Sequence, residues 1–143
     1  MIFQGGKCVR NYLLSSLGYV VVSIDSRGSS NRGKAFESHI YKRLGQVELK
    51  DQLEVLEKLA GDCPYLDLTR VAINGWSYGG YLALRGIVDH PDVFKVAIAG
   101  APVTDWKLYD TGYTERYMDL PSNNPSGYTL GSVLKVAFRF PDE

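Results

Sequence analysis

Histidine and cysteine are scarce in this chain, with two of each in 143 residues. The two cysteines, Cys8 and Cys63, exclude a disulfide framework and offer no zinc-ligand spacing. Free thiols in a reducing compartment are the expectation, and no metal or cofactor site is indicated. Net charge is also lacking, since 16 Lys and Arg offset 16 Asp and Glu. That balance argues against nucleic acid or an anionic membrane surface as a partner. No apolar run approaches the roughly 20 residues of a membrane span. Residues Met1 to Gly6 are too short and too polar for a secretory leader, so a cytoplasmic location is expected. What remains is an ordinary globular composition, 45% hydrophobic and 22% charged, with ten tyrosines. A chain of this length and balance can bury a core.

One stretch organises the rest. Gly75-Trp76-Ser77-Tyr78-Gly79-Gly80 follows the apolar run Val71-Ala72-Ile73 and precedes the helix-compatible Tyr81 to Val88. In a strand-turn-helix context, Gly-x-Ser-x-Gly reads as a nucleophile elbow, a strained turn that lifts a serine hydroxyl above the sheet edge. Gly75 and Gly79 are expected where a Cβ would collide with the neighbouring strand or helix. The main-chain N–H of Tyr78 then opens the helix and points to where an oxyanion would form. The bare pattern also fits a solvated glycine-rich turn. The strand before it, the helix after it and Gly80 tell against that.

Taken in order, residues 7–17 carry apolar residues at helical spacing, with Gly18 as a C-cap. Tyr19 to Asp25 is a β-branched run that predicts a strand buried on both faces. Residues 26–33 read as a loop, and 34–46 as irregular with one short helix. From Val47 a helix is plain: Leu49, Leu53, Leu56 and Leu59 mark one face, while Glu48, Lys50, Asp51, Glu54, Glu57 and Lys58 cover the other. After the elbow helix, Pro91 forbids continuation, and Val93 to Gly100 is a further strand. Asn123, Asn124, Pro125 and Gly127 predict a loop, and 132–138 a short helix. Three strands separated by helices give an α/β fold with a mostly parallel sheet. Asp25, Trp76-Ser77 and Pro102 to Trp106 would emerge at the carboxyl edge, where such sheets bind ligands.

A serine nucleophile needs a histidine base, oriented in turn by a carboxylate. His39 precedes Ser77, the wrong order for this fold. His90 lies beyond the far end of the elbow helix, roughly 18 Å from Ser77 at about 1.5 Å rise per residue. Asp105 and Asp110 read as loop or pocket residues. The chain thus reads as part of a catalytic domain.

The residues also resemble a known family. Ser16 to Val22, Asp25-Ser26-Arg27-Gly28-Ser29, Gly45-Gln46-Val47-Glu48, Asp51-Gln52, Gly75-Trp76-Ser77-Tyr78-Gly79-Gly80-Tyr81, Ala99 to Thr104, Tyr109 to Met118 and Gly127 to Val133 resemble the dipeptidyl peptidase IV family. That family lies within the prolyl oligopeptidase group of serine peptidases, and the likeness is greatest to its cytosolic branch, which holds dipeptidyl peptidases 8 and 9. The resemblance implies a partial α/β-hydrolase fold, truncated at both ends, with residues 1–143 forming part of one peptidase domain. It implies release of N-terminal Xaa-Pro or Xaa-Ala dipeptides. Ser77 matches the nucleophile and the N–H of Tyr78 one oxyanion donor. Tyr78, Val103, Trp106, Tyr109 and Tyr113 match the walls of the pocket for the proline ring, whose two apolar faces suit flat aromatic partners. Peptides with Pro or Ala at the second position are the implied partners, and the family allows a dimer for the complete protein. The family's upstream Tyr-Gly-Gly-Pro-like turn has at best a remnant in Gly5-Gly6. Its β-propeller and its downstream Asp and His segment have no match here.

Three functions follow as expectations. The chain is the nucleophile-bearing part of a post-proline dipeptidyl peptidase, inactive alone. Alternatively it is a non-catalytic truncated relative acting as a binding module. A carboxylesterase or acyl-peptide hydrolase of the same fold is a third reading, disfavoured by the aromatic run from Tyr109 to Tyr117.

Overall fold

The computed structural model describes residues 5–141, with side chains from Val9 onward. Met1 to Gln4 and the Cys8 side chain lie outside the described residues. The elements run α1 (Gly5–Ser16), α2 (Lys34–Glu37), α3 (Glu48–Asp62), β1 (Val71–Trp76), α4 (Tyr78–Asp89), β2 (Phe94–Gly100), α5 (Thr111–Met118) and α6 (Pro125–Gly131). Short 3₁₀ turns cover Ser38–Ile40, Trp106–Leu108 and Leu134–Arg139.

β1 and β2 pair in parallel, with Ile73 opposite Ala97 and Trp76 opposite Gly100. The connection between them is α4, which packs on one face of the pair, as a parallel crossover requires. Burial alternates along β1, so Val71, Ile73 and Gly75 face α4 while Ala72, Asn74 and Trp76 are exposed. Two apolar clusters hold α4 in place. Leu49, Ile87, Val88 and Phe94 form one, between α3, α4 and β2. Leu44, Tyr81, Trp106, Met118, Tyr128 and Val133 form the other, beneath the carboxyl edge of the sheet. Leu82 borders both.

Several expectations are met at the level of single residues. Gly18 ends α1 at φ 87°, with Tyr19 N–H bonded to Leu14 O and Gly18 N–H to Ser15 O, each at 3.1 Å. That hydrogen-bond pair is a Schellman cap. α3 buries Leu49 and leans Leu53 on the same cluster.

Four expectations need correction. Tyr19 to Asp25 carries no regular secondary structure and joins no ladder among the described residues, and Tyr19 and Val20 are 64% and 53% exposed. A strand exists through its partner's hydrogen bonds, whereas β-branched composition reports only a side-chain preference. The Asn124-Pro125 region is not a loop. The Asn124 side chain accepts from the Gly127 N–H and Pro125 occupies the first turn of α6, so the same residues that spell a turn here start a helix. Gly5-Gly6 opens α1 rather than forming a remnant turn. Glu48 does not belong to the solvent face of α3, being only 3% exposed.

Candidate active site

Ser77 sits between β1 and α4 with φ 56° and ψ −118°. A side-chain-bearing residue occupies this region only when its surroundings enforce it, at a cost of about 1–3 kcal/mol. The surroundings here are specific. The Ser77 N–H donates to Gly100 O at 2.9 Å, tying the turn to the end of β2, and Ser77 O accepts from the Tyr81 N–H at 2.9 Å. A Cβ on Gly75 would run into the backbone of Gly79, and one on Gly80 would meet Gly100 O at 2.6 Å. Gly79 itself has open space where a Cβ would stand. The glycines that the elbow requires for close approach are therefore Gly75 and Gly80, which corrects the expectation for Gly79.

The Ser77 side chain is exposed, at the N-terminus of the 12-residue α4. Tyr78 is the first residue of that helix. Its N–H is one of the first-turn donors that lack an intrahelical acceptor, and the helix dipole adds to its pull on negative charge. The Tyr78 phenol turns inward and donates to the Glu48 carboxylate. Burial first, and the charge of Glu48 second, push the phenol well above its ordinary pKa, so it remains a donor.

The aromatic residues are positioned by capped turns. Asp105 accepts from the Lys107 N–H at 2.9 Å and from the Ser132 hydroxyl at 2.8 Å, which fixes the turn that carries Trp106. Asp110 accepts from the Tyr113 N–H at 2.8 Å and caps α5. The rings then meet in a chain. Tyr78 and Trp106 lie 5.7 Å apart, Trp106 stacks on Tyr113 at 6.0 Å and 14°, and Tyr109 meets Trp106 edge-on at 6.0 Å. Such offset and edge-to-face pairs are the favoured geometries of aromatic rings.

A cleft of about 310 Å³ opens beside the serine, and Ser77, Val103 and Tyr109 line it together with Trp76, Pro102, Thr104, Asp105 and Leu108. Of the pocket residues read from the sequence, the structure thus brings Val103 and Tyr109 to the cleft with Ser77. Trp106, 1% exposed, stands behind them with Tyr78 and Tyr113, joined through the ring contacts. His90 caps the far end of α4 and neither histidine lines the cleft. Among the described residues, no group of three His, Cys, Asp or Glu is placed to hold a metal ion. Sequence reasoning missed Glu48, although its place three residues after Gly45, at the start of a helix, is a position where a carboxylate collects free N–H groups.

This arrangement can do acyl chemistry in part. An exposed hydroxyl on a strained turn meets a helix N-terminal N–H able to stabilise an oxyanion, beside a cleft with apolar and aromatic walls. Residues 7–138 match the prolyl oligopeptidase family. Dipeptidyl peptidase 8 from Mus musculus is 55% identical over 141 residues, which is 99% of this chain and 16% of that protein. The Homo sapiens dipeptidyl peptidase 8 is likewise 55% identical over 141 residues. The chain therefore spans about one sixth of the length of these relatives. A crystal structure from Bacteroides ovatus, assigned as a dipeptidyl aminopeptidase IV, superposes with a TM-score of 0.87 at 42% identity, over 91% of this chain and 18% of that one. Sequence likeness over nearly the whole chain and a shared backbone place it in one family: the chain belongs to the prolyl oligopeptidase family of serine peptidases.

Proposed function

We propose that this chain forms the nucleophile-bearing part of a dipeptidyl peptidase domain that releases N-terminal Xaa-Pro or Xaa-Ala dipeptides. Ser77 is the nucleophile in this reading, and the Tyr78 N–H is one oxyanion donor. Val103 and Tyr109, backed by Tyr78, Trp106 and Tyr113, make the pocket for the residue before the cleaved bond. The observation that carries the reading is the elbow, where Ser77 at φ 56° shares a cleft with Val103 and Tyr109. A compact apolar ring fits beside such walls with little side-chain ordering. A cytoplasmic location and peptide substrates belong to the same reading.

A second reading, a binding role for the chain alone, is favoured by the place of His90. It sits at the C-cap of α4 while Ser77 sits at the N-cap, and 12 residues at about 1.5 Å each separate them by roughly 18 Å. The experiment that decides is a graft. The aligned 141 residues of Mus musculus dipeptidyl peptidase 8 are replaced by those of this chain, and turnover of Gly-Pro-aminocoumarin is measured. The peptidase reading expects activity in the folded graft and none after Ser77→Ala. In the isolated 143-residue chain it expects negligible turnover, since loss of a triad member removes nearly all of the rate. A folded graft without activity would favour the binding role.

A further inference from the structure

Glu48 is buried, 3% exposed, and makes no ion pair with Lys or Arg among the described residues. A carboxylate in that state needs hydrogen bonds to offset its lost hydration. It has three. The Gly45 N–H donates to Oε1 and the Val47 N–H to Oε2, both at 3.0 Å, and the Tyr78 hydroxyl donates to Oε1. Two of these donors belong to the loop before α3, and the third belongs to the residue that follows the nucleophile. One turn further along α4, the Tyr81 hydroxyl donates to Leu44 O at 3.1 Å in the same loop. The loop at 44–47 and the first turn of α4 are thus clasped together.

The clasp completes the hold on the elbow. Upstream, the Ser77 N–H is bound to Gly100 O. Downstream, Tyr78 is bound through its phenol to Glu48. A strained turn persists only when both of its flanks are fixed. The Tyr78 ring also contacts Trp106, which carries Tyr109 and Tyr113, so a shift of Tyr78 would move both the oxyanion donor and the support of the cleft wall.

We propose that Glu48 is a positioning residue for the active site, tethering Tyr78 so that its main-chain N–H is aimed at the acyl oxygen of a substrate on Ser77. The inference rests on the peptidase reading above. It makes Glu48 act through the phenol, not through charge at the reacting atoms. Tyr78→Phe cuts the tether and leaves the loop's own bonds to Glu48 intact. Glu48→Gln keeps an oxygen for the phenol and loses the acceptor for the Val47 N–H. Glu48→Ala removes everything.

The test uses the grafted dipeptidyl peptidase with Gly-Pro-aminocoumarin, comparing Glu48→Ala, Glu48→Gln, Tyr78→Phe and the double variant Glu48→Ala/Tyr78→Phe. Misplacing a catalytic donor by an ångström costs on the order of a hundredfold. Glu48→Ala and Tyr78→Phe are each expected to lower kcat by about tenfold to a hundredfold, with a smaller change in KM. Glu48→Gln recovers most of that loss. The double variant is no slower than Glu48→Ala alone, because the two share one interaction. If Glu48→Ala does not fold, the Gln and Phe variants carry the test. Unchanged kcat in a destabilised Glu48 variant, or losses that multiply in the double variant, would overturn the inference while leaving the peptidase reading intact. A folded but inactive unsubstituted graft would end both.

Discussion

The N–H of Ser77 donates to the carbonyl of Gly100 at 2.9 Å, so the last residue of β2 holds the turn that follows β1. Gly100 has to be glycine, because a Cβ there would run into the indole of Trp76. Ser77 itself stands at φ 56°, a conformation that favours glycine.

That strain sets the first prediction. Ser77→Gly removes the side chain that objects to the backbone, whereas Ser77→Ala keeps a Cβ in the same place. Both lack the hydroxyl and neither can react. Relief of strain of about 1–3 kcal/mol is partly offset by the roughly 0.5–1 kcal/mol that glycine gives the unfolded chain. Ser77→Gly is therefore expected to be more stable than Ser77→Ala by about 1 kcal/mol, measured as a difference in urea midpoint at equal slope. Equal midpoints would mean that the elbow is not strained.

How much of this was legible beforehand differs from residue to residue. The elbow and α4 were, because Gly-x-Ser-x-Gly between an apolar run and a helical pattern is local chemistry. The face of α3 bearing Leu49 and Leu53 was, because period 3.6 is written in the chain itself. The state of residues 19–25 was not, since a strand depends on a partner that its own side chains do not name. α6 was hidden by Asn124-Pro125, which serves a turn and a helix start equally well. Glu48 was hidden for a similar reason. A charge in the first turn of a helix reads as solvated, and only the fold shows that the Gly45 and Val47 N–H groups and the Tyr78 hydroxyl enclose it. The family resemblance, not any local pattern, points to Val103 and Tyr109 as pocket residues, and their sharing a cleft with Ser77 follows from where β2 ends.

The glycines of the elbow make the second prediction. The motif includes Gly79 and leaves out Gly80, and the structure reverses that weight. Gly79 lies in α4 with open space at the Cβ position, while a Cβ on Gly80 would stand 2.6 Å from Gly100 O. Gly79→Ala is expected to be neutral or to stabilise by about 0.5–1 kcal/mol, since alanine is the better helix former and loses less entropy on folding. Gly80→Ala has to push β2 away from α4, against the hydrogen bond between Ser77 and Gly100, and is expected to destabilise by about 1–3 kcal/mol. Denaturant midpoints of the two variants check this, and the reverse order would refute it.

The third prediction concerns acid. Asp119 follows α5 at φ 63°, and its carboxylate pairs with Lys42 Nζ at 2.7 Å. It also accepts from the Leu120 N–H at 2.7 Å and from Asn123 Nδ2 at 3.2 Å. Foremost the bond to Lys42, and then those to Leu120 and Asn123, hold its pKa down at about 2, against an ordinary 3.8. A depressed pKa means that the unfolded chain binds the proton more readily than the folded one. Stability from this group is then complete above pH 3.8 and is lost as the pH falls through about 2. Asp119→Asn keeps a side chain of the same size and shape at this position and removes the titration. The variant is expected to be less stable than the parent near neutral pH, with the difference shrinking as the pH drops from 4 to 2. Thermal midpoints across that range decide the matter: curves that stay parallel down to pH 2 would show that the bond to Lys42 does not discriminate between the charged and neutral carboxyl.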